Sequence, residues 1–173
     1  MIKIDRNNII HKLFKYIAII LLFISVLNDF DFNYLELKYF SFNFSYILIF
    51  YYSLKGGENL GLVSIFLAGL FNDVITGLPM GISSLNYLLL SGAAAYLRNI
   101  TLSPSLLKDW LFFLVTLLCL NSTSFIILNF FFSFEISYFD EIINVIFTFL
   151  LYFIFSYIFN FIRRFFLGNY SAG

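Results

Sequence analysis

From Asn59 to Leu97 the chain runs through 39 residues with a single charge, Asp73. One bilayer crossing takes about 20 apolar residues, so this stretch is too long for one helix and long enough for two joined by a tight turn. Gly77-Leu78-Pro79-Met80-Gly81 supplies the turn. Pro79 has no amide hydrogen and fixes its own φ, while the glycines allow positive φ, so one helix is expected to end near Thr76 and the next to begin near Gly81. A helical hairpin carrying an acid inside apolar sequence is the first constraint on the fold.

Composition extends the constraint to the whole chain. Of 173 residues 61% are apolar and 12% charged, against roughly 45–50% and about 25% in soluble domains. Ten acids and ten bases cannot cover the surface of a 20 kDa soluble domain while 26 Phe and 12 Tyr seek burial. Lipid is therefore the expected solvent. Further uncharged runs give an all-α integral membrane protein, a six-helix transmembrane bundle forming one domain over residues 1–173. The spans are expected at roughly 13–28, 39–54, 59–76, 81–97, 110–132 and 144–162. Several are short, so flanking charges must snorkel. The first run follows Lys12 and Lys15 as a secretory signal would, but Asn28-Asp29-Phe30 offers no small-x-small cleavage pattern and the run reads as a retained span.

With six spans and both ends on one side, that side collects Lys3, Arg6, Lys12, Lys15, Lys55, Arg98, Lys108, Arg163 and Arg164, nine of the ten bases. Only Lys38 falls opposite, together with Asp29, Asp31, Glu36, Glu135, Asp140 and Glu141. The positive-inside rule then places both termini in the cytoplasm. The outward links, about 29–38 and 133–143, carry Phe30, Tyr34 and Tyr138 beside their acids, a mixture that suits an interface with lipid headgroups or a docking surface.

The same residues exclude several classes. Zero net charge and the lack of a basic block give no footprint for nucleic acid. Cys119 is the lone cysteine, cannot form an internal disulfide, and in an apolar run is expected to pack as a small buried hydrophobe. The single His11, beside Lys12 and Lys15, cannot assemble the three or four ligands of a metal site, and no nucleotide-binding glycine pattern occurs, so no cofactor is expected. An aspartyl intramembrane protease needs two acids and a serine protease needs a base. Asp73 is the only acid within the expected spans and none contains His, so an enzyme is not expected.

An acid at membrane depth faces a bundle interior or water. Around Asp73, Gly69 and Ile65 follow at helical spacing and Gly61, Ser64, Ala68 and Asn72 widen a small, partly polar face. Ser84, Ser91, Gly92 and Ala95 make a similar face on the next helix, so the two are expected to pack as a hairpin. Asp73 is then either a contact for a proton, substrate or partner, or the hydrogen-bond acceptor of the glycine turn and the following helix. The fifth span carries Cys119, Asn121, Ser122, Thr123, Ser124 and Asn129, and the sixth a four-residue row, Asn144, Thr148, Tyr152, Ser156 and Asn160. These rows suit interhelical hydrogen bonds or a substrate path.

The run from Gly69 to Gly81 resembles the signature of the MreD family of bacterial rod-shape-determining membrane proteins, G-L-x-x-D-x-x-x-G-x-P-x-G followed by a Leu-rich helix. Gly69, Asp73, Gly77, Pro79 and Gly81 fill its five marked positions, and Leu85 to Leu97 follows. The motif covers 13 residues; length, six spans and cytoplasmic ends match that family over the whole chain. The resemblance implies a non-enzymatic component of the cell-elongation machinery in the cytoplasmic membrane. Its partners would be a MreC-like single-span protein, the actin-like MreB filament, a wall glycosyltransferase and transpeptidase, and the lipid bilayer. The five motif residues would then form a packing seam or a partner contact.

An alternative of a different class is the substrate-binding membrane subunit of an energy-coupling-type vitamin transporter, which is similar in size and span count. It requires an outward cavity lined by aromatics and convergent polar groups. The first span, with Ala18 and Ser25 as its small residues, lacks the repeated alanines by which that family docks its energising partner.

Overall fold

The computed structural model describes residues 6–27, 41–56, 60–101, 105–133 and 138–168, with side chains from Lys15 to Arg163. Its elements are α1 (Arg6–Leu27), α2 (Phe44–Lys55), α3 (Leu62–Thr76), α4 (Ile82–Ile100), α5 (Leu106–Phe132) and α6 (Tyr138–Gly168), and the described residues include no strand. The expected link at 29–38, with Lys38, and Glu135 lie outside the described residues.

The shortest helix is the most enclosed. α2 has 12 residues, about 18 Å of helix, and buries Ser45 through Tyr51, Ser53 and Leu54. A helix apolar all round must be covered all round, and α1, α4 and α6 pack around it. α4 is the second central element, touching α2, α3 and α5. Hydroxyl pairs fix these contacts: Ser25 with Ser45 at 2.8 Å joins α1 to α2, and Ser53 with Ser91 at 2.9 Å joins α2 to α4. Phe50, Phe113 and Tyr152 tie α2, α5 and α6 together with ring centroids 4.4–5.5 Å apart. Trp110 stacks on Phe149 at 4.3 Å and its indole N–H donates to the Phe149 carbonyl, joining α5 to α6.

The outer faces are apolar. α5 exposes Leu111, Val115, Leu118, Ile126 and Phe130, and α6 exposes Ile146, Leu150, Phe153, Ile154 and Phe161. Both helices are long and apolar enough to cross a membrane.

Helix ends depart from the charge-free runs for identifiable reasons. α5 begins at Leu106 rather than near 110 because Ser105 caps it, its hydroxyl accepting the Lys108 N–H at 3.3 Å. Asp109 then lies inside the helix, buried, its charge met by Lys55 at 3.6 Å. α6 begins at Tyr138 rather than 144, with Asp140 and Glu141 in its first turn where the helix dipole favours acids. α2 begins at Phe44 rather than 39, capped by Asn43. Cys119 overturns its expected burial: the buried stripe of α5 is Phe113, Thr116, Leu117, Leu120 and Leu128, and Cys119 points to the exposed side.

Candidate functional site

The motif hairpin closes on Asp73. α3 ends at Thr76 because Gly77 adopts the left-handed conformation, φ 69°, where its N–H and that of Leu78 both donate to the Asp73 carbonyl. α4 starts after Gly81, φ 103°, a position that has no side chain to serve as its own N-cap. The carboxylate of Asp73 fills that role from across the turn. Oδ2 accepts the Gly81 N–H at 2.7 Å and Oδ1 the Ser83 N–H at 2.8 Å, with the residue fully buried. One side chain thus caps the following helix while its own carbonyl ends the preceding one. Pro79 accepts the Ile82 N–H through its carbonyl, completing the link.

Gly69 decides how closely the two helices approach. A Cβ placed there would lie 2.4 Å from the Ser84 Cα and 2.6 Å from its backbone nitrogen, so the helices meet backbone to backbone. Ser84 donates to the Phe66 carbonyl at 3.0 Å, and Asn72 donates to the Ser83 hydroxyl at 2.9 Å. The seam is shorter than the small-residue pattern suggests. Ser91 turns to α2, Gly92 is exposed with open space around it, and Gly61 touches only its own helix.

Around the same end of the bundle lies a cavity of about 430 Å³. Asn72 and Ser83 from the hairpin, Asn86 and Tyr87 from α4, Asn121 and Ser124 from α5, and Glu141 and Asn144 from α6 contribute to its lining, with Phe42, Phe44 and Tyr46 from the α2 end. Several of its polar groups satisfy one another: the Asn86 amide donates to Ser124 at 2.7 Å, which in turn donates to the Asn86 carbonyl oxygen at 2.9 Å in an alternative hydroxyl orientation. The four-residue row of α6 faces α2. Asn144 donates to Ser41, Thr148 accepts the Asn43 N–H at 2.8 Å, and Asn160 accepts from the Tyr51 hydroxyl at 3.0 Å. Bonds to α2 and to the residues just ahead of it account for these members of the row.

The opposite end gathers charge that the motif reading did not single out. Lys55 pairs with Asp109, Arg98 donates to the Ser53 carbonyl and Arg163 to the Lys55 carbonyl. Asp109 is a second buried acid, but it cannot share a proton with Asp73. Asp73 sits at the start of α4 and Asp109 at the end where Arg98 emerges, about 24 Å along that helix. The signal for Asp109 was the Ser105 cap, which places Lys108 and Asp109 in a first helical turn instead of a loop.

Compared with known proteins, the chain matches no family model, no curated protein and no solved structure.

Proposed function

We propose that the chain is a multi-pass protein of the bacterial cytoplasmic membrane, a six-span bundle with both termini in the cytoplasm. In this reading it acts, without catalysis, as a scaffold or regulator of lateral peptidoglycan synthesis. Its partners are a MreC-like single-span protein, the actin-like MreB filament and the wall glycosyltransferase and transpeptidase. The observation that carries the reading is that Gly69, Asp73, Gly77, Pro79 and Gly81 act as one device. Their side chains, or the lack of them, set the helix end, the turn, the cap and the interhelical distance together. A motif whose every position has a mechanical task is a unit, and the task is to hold a stiff hairpin. The membrane placement rests on outer faces such as Val63 at 72% and Phe130 at 81% exposure, which water would penalise. The orientation rests on Lys55, Arg98 and Arg163 meeting at one end.

The cavity favours a second reading, the substrate-binding subunit of an energy-coupling-type transporter, because 430 Å³ with aromatic walls and convergent polar groups suits a small molecule. Purification of the tagged chain from its own membranes, followed by mass spectrometry of what accompanies it, separates the two. A MreC-like protein or wall synthases are expected; paired ATPases with a coupling membrane subunit would overturn the scaffold reading in favour of transport.

A further inference from the structure

Beside the 430 Å³ cavity lies an apolar groove of about 510 Å³ between α5 and α6, and Asn121, Phe125, Glu141 and Val145 line both spaces. The groove follows Leu114, Leu118 and Ile126 on α5 and Ile142, Ile146 and Phe149 on α6. Phe149, stacked on Trp110, marks one end, and the Phe125–Tyr138 ring contact at 4.7 Å marks the other. From Leu114 to Ile126 it runs about 18 Å, close to one leaflet of a hydrocarbon core roughly 30 Å thick.

The two spaces differ in chemistry, and the lining they share holds unused polar groups. Among the described residues, the Asn121 amide and the Glu141 carboxylate make no hydrogen bond or ion pair, whereas Asn72, Asn86 and Asn144 are all bonded. No Lys, Arg or His is among the described residues lining either space. A phosphate would meet acids and no base there. A head group rich in O–H or N–H donors would meet a carboxylate, an amide oxygen and aromatic faces.

We propose that cavity and groove form one site for a membrane lipid whose head group is non-anionic and rich in hydrogen-bond donors. The head enters the polar chamber past Asn121 and Glu141, and one acyl chain lies in the α5–α6 groove. The site rests on the membrane placement of α5 and α6 and is independent of any role in wall elongation.

The test uses the full chain in phosphatidylcholine nanodiscs containing equal amounts of monoglucosyl diacylglycerol and phosphatidylglycerol with matched chains, read by native mass spectrometry. Recovery of the chain in the disc fraction checks the membrane placement separately. The glycolipid adduct is expected to exceed the phosphatidylglycerol adduct about tenfold, the ratio that one hydrogen bond to a charged group supports. Glu141→Gln, in the exposed first turn of α6, is expected to shrink that preference to about threefold or less. Ile146→Trp, an exposed position filled from the groove side, is expected to remove both adducts while leaving the helical circular dichroism unchanged. Equal adducts for the two lipids, or a glycolipid adduct untouched by Ile146→Trp, would overturn the proposal. So would glucose without acyl chains binding as tightly as the glycolipid, which would make the chamber a site for a water-soluble ligand.

Discussion

Replacing Asp73 probes whether one carboxylate holds the α3–α4 hairpin. Its two oxygens take the Gly81 and Ser83 N–H groups at 2.7 and 2.8 Å, with no exposed surface. In Asp73→Asn one oxygen survives as an acceptor, but the amide NH₂ faces the other N–H, so a hydrogen bond is exchanged for two donors pointing at each other. A bond to a charged group is worth about 1.5–3 kcal/mol, and a carboxylate at a helix N-terminus adds about 0.3–1 kcal/mol. The expected loss is therefore about 2–4 kcal/mol, and Asp73→Ala, which strands both donors, should lose about 3–6 kcal/mol. Unfolding of the purified chain by dodecyl sulfate in mixed micelles, followed by circular dichroism and Trp110 fluorescence, measures both. Thr76→Val, at an exposed residue bonded only to the Asn72 carbonyl, serves as the control and should stay within about 0.5 kcal/mol of wild type. If Asp73→Ala also stayed within that margin, the cap would not be holding the turn and the reasoning from its geometry would fail.

Gly69→Ala should destabilise the chain by about 1–3 kcal/mol in the same assay, because the new methyl meets Ser84 backbone atoms that cannot rotate away; the gain in helix propensity, up to about 1 kcal/mol, does not offset it. Lys55→Met leaves Asp109 buried without its partner and should cost about 1–3 kcal/mol, less than a fully buried pair because Lys55 is 21% exposed; adding Asp109→Asn should recover most of that loss, and a double variant no better than the single would count against the pairing. In intact cells, Cys119 should resist both charged and membrane-permeant maleimides and react once the chain is unfolded in dodecyl sulfate, since it faces outward from an apolar helix, where lipid does not solvate the reactive thiolate; rapid labelling by a charged maleimide in intact cells would count against that placement. In a Cys119→Ser background, Asp140→Cys should label from outside and Lys108→Cys only after the membrane is opened; the reverse pattern would invert the proposed orientation.

The hairpin was readable because its signals are local. Gly77, Pro79 and Gly81 dictate backbone geometry within five residues, and α3 and α4 end and start within one residue of the expected positions. The two possible roles of Asp73 could not be separated from spacing, since a contact and a cap need the same acid at the same place. What separates them is the direction of the Gly81 and Ser83 N–H groups, which depends on how α4 folds back over α3. α5 and α6 start before the uncharged runs because a first helical turn tolerates acids, Asp109 in one and Asp140 and Glu141 in the other, whereas α2 starts inside its run because Asn43 caps it there. Cys119 lies exposed against the expectation of burial because an apolar run does not say which of its sides is covered.

Composition and charge order belong to the chain regardless of its fold, and they already require helices, an apolar surroundings-facing surface and a turn at residues 77–81. Backbone preferences and transfer energies are properties of single residues and short windows, so they survive without tertiary information. Three features arose only in the folded bundle: the burial of most of the 12-residue α2, the Lys55–Asp109 pair, and the placing of Asn121 and Glu141 in the lining of both a polar chamber and an apolar groove. Each depends on residues far apart in sequence being brought together, and a helix's periodicity specifies which residues share a face but not which neighbour that face will meet.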